Sequence, residues 1–333
     1  MSATGLSDFV LEEPGESTYI REVYGKTLVE LGREGRDIVV LDADLTVSTK
    51  TSYFGKEFPE RFFTMGVSEQ DMMATAAGFA LSGKVPFAST FAVFATGRAW
   101  EHVRQSIAFP GLNVKIVATH AGVTVGEDGA THQALEDVAL MRVLPNMKVI
   151  VPADAVETEQ VIRAIVRDKG PVYVRLARVK FPTIFNESYH FDIGKARILR
   201  GGTDVTIFAI GIMVSEALEA ARILVKGGVS ACVVNVSSVK PIDVETIVKT
   251  ASVTGAVVTA EDHSIIGGLG GAVSEVLGEY CPTPIKRIGM RDRFGTSGNG
   301  MKLLEHFGLK ARNIADAARG LLDINRRSES VGL

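Results

Sequence analysis

The chain has 333 residues, enough for two ordinary domains, and its composition of 46% hydrophobic and 23% charged residues is typical of a soluble globular protein. Its formal net charge of −3 implies no general attraction to nucleic acid or to anionic membranes, and no run of about 18 apolar residues predicts a membrane span. Its two cysteines, Cys232 and Cys281, indicate neither a disulfide framework nor a metal site, and no signal-peptide pattern is present at the amino terminus. The expected location is therefore cytoplasmic.

Strand patterns alternate with helical patterns through residues 15–182. The first helix is predicted over 20–34, and the first strand, IVVLDAD over 38–44, is rich in β-branched residues and ends in acids. The other strands of this region are predicted at 86–90, 113–119, 147–153 and 171–177, and the other helices at 71–82, 94–109, 135–142 and 155–168. This alternation predicts a parallel, doubly wound sheet, in which sites form beyond the carboxyl ends of the strands.

A stretch that contains proline, asparagine, serine and glycine, residues 183–200, interrupts the alternation and is predicted to be a linker. Strand and helix patterns resume over 201–315, which we interpret as a smaller second domain. Its strands are predicted at 205–211, 229–236 and 256–262, and its helices at 213–226 and 272–280. Residues 1–14 are predicted to be a polar leader and residues 316–333 a tail. The predicted fold class is α/β, with two doubly wound domains.

The loop over 120–133, HAGVTVGEDGATHQ, carries the most unusual side chains. It holds His120 and His132, the adjacent acids Glu127 and Asp128, and three glycines that let the backbone approach a ligand. Histidines can donate to carbonyl or hydroxyl oxygens and transfer protons, so a polyol site is one interpretation; a metal site is another, although the spacing matches no known ligand pattern. A solvated surface loop is less favoured, because long loops in compact domains are usually functional.

Two further segments are ambiguous from their residues alone. In MGVSEQDMM, Glu69 stands just before an apolar helical pattern, so an acid at a helix start is the natural interpretation. In STFAVFATGRAWEHVRQS, Phe91 and Phe94 are three residues apart in an apolar stripe, and such stripes more often belong to a core than to a cofactor pocket.

The order of these motifs is more specific than any one of them. MGVSEQDM, TFAVF, ATHAGVTVGEDGATHQ, LPNMKVIVPAD and PVYVRLAR together resemble the pyrimidine-binding domain of the transketolases, and AEDHSIIGGLGGAVSEVL resembles their carboxy-terminal domain. GEDGATHQ is the most specific piece. The resemblance implies a thiamine-diphosphate enzyme with a pyrimidine-binding domain over 15–182 and a carboxy-terminal domain over 201–315.

The resemblance also implies which residues meet the cofactor. Glu69 matches the glutamate that hydrogen-bonds N1′ of the aminopyrimidine, where a carboxyl group favours the imino tautomer and so makes Glu69 a catalytic residue. Phe91 and Phe94 match aromatic residues that pack on the aminopyrimidine ring. Asp44 matches an aspartate near the thiazolium. Gly97 departs from the pattern, since many single-chain transketolases carry a further tyrosine there.

Residues that meet the sugar follow from the same resemblance. His120 and His132 match catalytic histidines that contact the ketose oxygens, and Asp128 matches an acid that recognises the configuration of the donor's C2 hydroxyl. Three positions match residues that hold the sugar phosphate at the mouth of the channel, which are Arg21, Ser48 and Arg178.

The part of the family that binds the diphosphate is not recognisable in this sequence. Its Gly-Asp-Gly and asparagine metal motif is absent, and GGLGG over 267–271 is expected to be a tight turn with close helix–strand packing rather than a phosphate loop. The chain is expected to start directly at the pyrimidine-binding domain, with no metal site of its own. Thiamine diphosphate would then be shared with an amino-terminal transketolase subunit that binds the diphosphate and Mg²⁺ or Ca²⁺, and an α2β2 heterotetramer is the simplest closed assembly.

The expected activity is the transfer of a two-carbon ketol unit from a ketose phosphate to an aldose phosphate, in the pentose phosphate pathway and carbohydrate metabolism. A related thiamine-diphosphate enzyme, similar to deoxyxylulose-phosphate synthase or to the beta subunit of 2-oxo acid dehydrogenases, is an alternative. The beta subunit would not be expected to carry both histidines of the loop. A non-catalytic regulatory subunit is a further alternative, which the joint presence of Glu69, His120, Asp128 and His132 disfavours.

Overall fold

Seven strands form the first sheet, and six of them are parallel. The computed structural model describes residues 5–331, with side chains through residue 324. Every residue of strands such as Ile38–Asp42 is buried, as expected for a sheet covered on both faces. In spatial order the strands are Ser238–Lys240, Lys148–Ile150, Val172–Arg175, Lys115–Ala118, Val85–Ser89, Ile38–Asp42 and Phe62–Thr64.

Helices cover both faces of this sheet. Ala155–Arg167 shows how they form: Asp154 caps its first turn through the Glu157 backbone amide, and buried residues such as Val161 and Ile165 recur at helical spacing. The other α-helices here are Ile20–Arg33, Thr46–Thr49, Ser52–Glu57, Glu69–Leu81, Trp100–His102 and Asp137–Arg142. The π-helical turns Phe94–Arg98 and Val103–Ala108 flank Trp100–His102, and 3-10 turns occur at Pro59–Arg61 and Val123–Asp128.

A second sheet of five strands forms the carboxy-terminal half, which confirms the predicted α/β class with two domains. In spatial order its strands are Ile285–Met290, Val257–Ser264, Val205–Ala209, Ala231–Asn235 and Arg197–Arg200, and only the last is antiparallel. Its helices are Met213–Val225, Val244–Thr254, Leu269–Tyr280, Gly300–His306 and Ala311–Val331. None of the helices in the described range 5–331 is long and apolar enough to cross a membrane.

Three segments outside the two predicted domains are more ordered than their composition indicates. Within the predicted linker, Arg197–Arg200 pairs with Ala231–Asn235 as an edge strand, and the aromatic residues Phe185, Tyr189 and Phe191 are buried. In the predicted leader, Leu6 and Val10 are buried and bridge to Arg200 and Phe185. The predicted tail continues the helix Ala311–Val331, whose described apolar residues Ile314, Ala315, Ala318 and Leu321 are buried at helical spacing.

Two contacts join the halves. The strand Ser238–Lys240 leaves the carboxy-terminal half to pair antiparallel with Lys148–Ile150 of the first sheet. Buried Glu157 of the first half accepts hydrogen bonds from Asn235 of the second half, at 3.0 and 3.1 Å, and from the Tyr189 hydroxyl of the connecting segment. The two halves are therefore held in a fixed arrangement by buried polar contacts as well as by apolar packing.

The GGLGG turn packs as closely as its glycines predict. A Cβ at Gly268 would lie 2.1 Å from Glu261 Oε2, and the Glu261 carboxylate accepts the backbone amides of Leu269 and Gly270 at 2.7 and 2.8 Å. A protein carboxylate thus occupies the position at this helix start that a phosphate would need.

This packing makes Gly268 a sensitive position. Because a methyl group there would overlap a buried carboxylate, we expect Gly268→Ala to lower the free energy of unfolding by about 2 kcal/mol. Gly271→Ala is the matched control, since a Cβ there meets only Glu275 Oε1, at 4.0 Å. Urea denaturation followed by circular dichroism measures both variants, and equal midpoints would contradict the close-packing interpretation.

Candidate functional site

The predicted site residues lie where parallel strands of the first sheet end. Asp44 follows Ile38–Asp42, Phe91 follows Val85–Ser89, His120 follows Lys115–Ala118 and Arg178 follows Val172–Arg175. Because these strands are parallel neighbours, their carboxyl ends meet at one edge of the sheet. Segments that are far apart in the sequence therefore converge there.

Glu69 is a charged group in a buried place. It is the first residue of the helix Glu69–Leu81, and only 1% of it is exposed. Its Oε2 accepts a hydrogen bond of 2.7 Å from Arg98 Nη1, and Oε1 accepts none from the residues that the structure describes. The guanidinium of Arg98 lies 5.0 Å from the centroid of the Phe94 ring. One carboxylate oxygen is thus held by the protein while the other remains available to a ligand.

Aromatic and imidazole rings form the next part of the site. The rings of Phe91 and His120 stack with centroids 3.8 Å apart, and those of Phe91 and Phe94 are nearly parallel at 6.0 Å. The His132 ring meets Phe94 edge to face at 5.5 Å. Four predicted site residues are therefore in one cluster with flat apolar surface and two polar edges.

His120 is held in an unusual conformation. Its φ is 58°, in the left-handed region that residues other than glycine rarely adopt, and it is buried. Its Nδ1 lies 2.8 Å from Thr119 Oγ1. Burial, followed by the charges of Arg21 and Arg178, lowers the pKa of His120 to about 3. The imidazole is therefore neutral at physiological pH.

The loop that carries His132 and Asp128 lies against Arg178. Arg178 Nη1 donates to the Val125 carbonyl and lies 3.1 Å from Glu127 Oε2 and 3.7 Å from Asp128 Oδ1. His132 Nδ1 lies 2.9 Å from Thr131 Oγ1 and the ring is partly exposed. The loop thus turns its two acids toward a cationic group.

Arg21 and Ser48 lie together on the same side of the site. Arg21 Nη1 donates to the Ser48 carbonyl at 2.8 Å, whereas its Nε is buried and has no partner among residues 5–331. Burial and the nearby charge of Arg178 lower the pKa of Arg21, against the opposing effect of Tyr19. The guanidinium groups of Arg21 and Arg178 are close enough to repel one another, and Arg21 Nε is an unused donor. Both features favour the binding of an anionic ligand.

Asp44 is the predicted residue with the fewest contacts. It is exposed, with φ at 62°, and makes no hydrogen bond or ion pair within the described part of the chain. The turn that presents it is built by buried Asp42, which accepts from the Leu45 amide at 2.6 Å and from the hydroxyls of Thr49 and Thr51 at 2.7 and 2.8 Å. The structure therefore places Asp44 at the sheet edge without joining it to the ring cluster.

Comparison with known proteins identifies both halves. The model of the transketolase pyrimidine-binding domain matches residues 16–183, and that of the transketolase C-terminal domain matches residues 194–314. The chain belongs to the transketolase family. This family depends on thiamine diphosphate, and membership confirms the resemblance on which the site residues were chosen.

Several relatives of similar length are known. The chain is 54% identical over 299 residues to a putative transketolase C-terminal section of Methanocaldococcus jannaschii, covering 89% of this chain and 94% of that protein. It is 45% identical to a 6-deoxy-6-sulfo-D-fructose transketolase subunit of Clostridium sp. strain MSTE9, covering 91% and 94%. A split gene transketolase solved as an inactive β4 tetramer shares 55% identity with a TM-score of 0.86, covering 92% of this chain and 98% of that one.

Within this transketolase-family chain, Arg98 is the site residue that the sequence analysis missed. Its signal was a cation inside the apolar stripe, next to Gly97, and it resembled an ordinary solvated residue because the partner Glu69 is 29 positions away. A Cβ on Gly97 would meet nothing within 4 Å, so the structure leaves open space at this position. No group of three or more potential metal ligands occurs among the described residues.

Proposed function

We propose that this chain is the carboxy-terminal subunit of a split transketolase, which transfers a two-carbon ketol unit from a ketose phosphate to an aldose phosphate. The observation that carries the proposal is the convergence of Glu69, the ring cluster and the two arginines at one sheet edge. Glu69 with the two phenylalanine rings of the cluster suits an aromatic nitrogen heterocycle. The two histidines suit sugar hydroxyls, and the two arginines suit a terminal anion. Thiamine diphosphate, when bound, supplies the carbanion chemistry that breaks and forms the carbon–carbon bond.

Residues of this chain would hold the ring end of that cofactor. Glu69 Oε1 would bond the pyrimidine N1′ while Arg98 fixes the other carboxylate oxygen. Phe91 and Phe94 would pack on the ring and exclude water. The buried carboxylate and the flat apolar wall fit an aminopyrimidine.

The sugar would lie between the histidines and the arginines. Neutral His120 can donate or accept a hydrogen bond through Nε2, and His132 can exchange a proton with a ketose oxygen. Asp128, near Arg178, is placed to accept a bond from a hydroxyl. Arg21 and Arg178, with the Ser48 hydroxyl, would hold the terminal phosphate, and the buried Nε of Arg21 supports this assignment.

We further propose that the diphosphate and its Mg²⁺ or Ca²⁺ are bound by an amino-terminal subunit, in an α2β2 heterotetramer located in the cytoplasm. Two comparisons support the division: one relative is described as a C-terminal section, and one similar structure is an inactive β4 tetramer of a split gene transketolase. Metal and diphosphate require one another because the cation neutralises the phosphate charge.

Reconstitution tests this proposal. With thiamine diphosphate and Mg²⁺, we expect no ketol transfer from xylulose 5-phosphate by this chain alone and robust transfer when the amino-terminal subunit is added. Turnover by the chain alone would contradict the split-enzyme proposal. A mixture active on pyruvate but not on xylulose 5-phosphate would favour the deoxyxylulose-phosphate synthase-like or dehydrogenase-like alternative. A mixture that uses 6-deoxy-6-sulfofructose better than xylulose 5-phosphate would assign a sulfonate to the arginines.

A further inference from the structure

The loop that carries His132 and Asp128 is held by the carboxy-terminal domain. The Val123 amide donates to Asp262 Oδ1 at 2.9 Å, and Thr124 Oγ1 donates to Asp262 Oδ2 at 3.0 Å. Asp262 belongs to the strand Val257–Ser264 of the second sheet, so both bonds cross between the domains. A single carboxylate therefore fixes the start of the loop with both of its oxygens.

The backbone at Gly122 has a conformation and a contact that require glycine. Gly122 has φ at 80°, in the left-handed region, and a Cβ there would lie 2.0 Å from Asp262 Oδ2. The Asp262 carboxylate is thus packed directly against a loop residue that has no side chain. This close approach requires glycine at 122 and leaves no room for water between the loop and the carboxylate.

Other carboxy-terminal residues hold the middle and the end of the same loop. Gln133 Nε2 donates to the Thr296 carbonyl at 2.9 Å and to the Val123 carbonyl at 3.1 Å, which ties the two ends of the loop to the second domain and to each other. The Ser264 amide donates to the Leu135 carbonyl at 2.8 Å. The loop is therefore supported along its length by a domain that contributes no residue to the proposed cofactor contacts.

Asp262 is itself fixed from the first domain. Arg175 Nη2 donates to the Asp262 carbonyl at 2.7 Å, while Arg175 Nε donates to Asp137 Oδ2 at 2.8 Å. Asp137, Arg175 and Asp262 are all buried. A buried carboxylate is costly unless its oxygens are hydrogen-bonded, and both oxygens of Asp262 accept a bond from the loop. Its geometry is consequently well determined.

We propose that Asp262 is a positioning residue for the donor sugar, through which the carboxy-terminal domain holds His132 and Asp128 in place. The proposal rests on the proposed function, because His132 and Asp128 meet a sugar only if the chain is a transketolase subunit. The loop contacts themselves do not depend on that function, so one measurement can be made without any activity.

Hydrogen exchange of the full-length chain is that measurement. In Asp262→Asn one of the two carboxylate oxygens becomes an NH2 group, so either the Val123 amide or the Thr124 hydroxyl loses its acceptor. We expect the amides of residues 122–133 to exchange roughly tenfold faster, the factor that about 1.4 kcal/mol of local opening gives, with residues 85–118 unchanged. Thr124→Val deletes only the Oγ1 bond and should give a smaller effect of the same kind. Unchanged exchange in both variants would overturn the proposal.

Steady-state kinetics of the reconstituted enzyme give the second test. We expect Asp262→Asn to raise the KM for the ketose donor by roughly tenfold, the factor that about 1.4 kcal/mol gives, while the Kd for thiamine diphosphate stays within a factor of about two. Asp243→Asn is the matched control, since Asp243 caps a helix of the same domain and touches the Thr246 and Ala196 amides rather than the loop.

The outcomes separate the two proposals. Faster exchange with an unchanged donor KM would overturn the positioning role of Asp262, as would an equal rise in KM in Asp243→Asn. Asp262→Asn could exchange faster while the wild-type mixture shows no ketol-transfer activity. That result would support the contact between Asp262 and the loop and would refute the proposed function instead. A rise in donor KM in Asp262→Asn but not in Asp243→Asn, with cofactor affinity constant throughout, would support positioning over general destabilisation.

Discussion

Replacing Glu69 with glutamine is expected to lower the kcat of the reconstituted enzyme by about 100-fold or more, the usual range for a group that assists proton transfer. Glutamine keeps the size of the side chain but offers an amide where the cofactor requires a carboxyl group. Since Glu69 is buried and its Oε1 is the available oxygen, no neighbouring acid can take over its contact. The measurement is ketol transfer from xylulose 5-phosphate by the mixed subunits.

The loss should not arise from unfolding. Glu69→Gln leaves Arg98 without its ion pair, but the Arg98 side chain is 48% exposed and can be solvated, so its cost in stability is small. Glu101→Gln is the matched control, since Glu101 lies three residues after Arg98 and its side chain is 65% exposed. A variant at Glu69 that retained most of the wild-type kcat, with the control equally active, would remove Glu69 from the proposed chemistry.

Long periodic segments of the fold were predictable from the sequence, and short elements were not. Local hydrophobic patterns predict the buried strands and the amphipathic helices. The helix Thr46–Thr49 does not, because it depends on Asp42, whose carboxylate bonds Thr49 and Thr51. The sequence does not predict the strand Ser238–Lys240 either, because this strand forms by pairing with the sheet of the first domain.

Some residues of the candidate site were likewise predictable from the sequence, and others were not. Motif order selected the candidate residues, and the structure brings Phe91, Phe94, His120 and His132 into contact. Motif order did not point to Arg98, which bonds Glu69, or to Asp262, which bonds the start of the loop. Such supporting groups have no local pattern, since an aspartate in a strand and an arginine in a helix look the same whether or not they bond a distant partner.

The contacts of Asp262 bear on why the second domain accompanies the first. Its apparent phosphate turn is filled by Glu261, so it presents no anion site at that helix start. One residue further along the same strand, Asp262 instead bonds the loop that carries His132 and Asp128. Adjacent acids of one buried strand thus serve the internal packing of one domain and the loop of the other.

The stability of the chain should depend on pH through His120. Its pKa in the folded protein is about 3, lowered by burial and by Arg21 and Arg178, against a usual value of 6.5. Between these values the unfolded chain binds a proton that the folded chain does not. The free energy of unfolding therefore falls as the pH drops below 6.5, by up to about 1.4 kcal/mol per pH unit for this group.

His120→Asn isolates this contribution, because asparagine tolerates the left-handed backbone but does not titrate. Buried Asp154 and Glu261, whose pKa values are raised by burial to about 6 and about 7, act in the opposite direction, but they are present in both proteins and cancel in the difference. We expect the free energy of unfolding of the wild type relative to the variant to fall by about 2 kcal/mol between pH 6.5 and 4.5 in urea denaturation.

Parallel plots of the free energy of unfolding against pH for the two proteins would mean that folded His120 takes up a proton as readily as the unfolded chain. A steep difference would instead show that the folded chain keeps His120 neutral, so that under the proposed function the charge of a substrate phosphate would be met by Arg21 and Arg178.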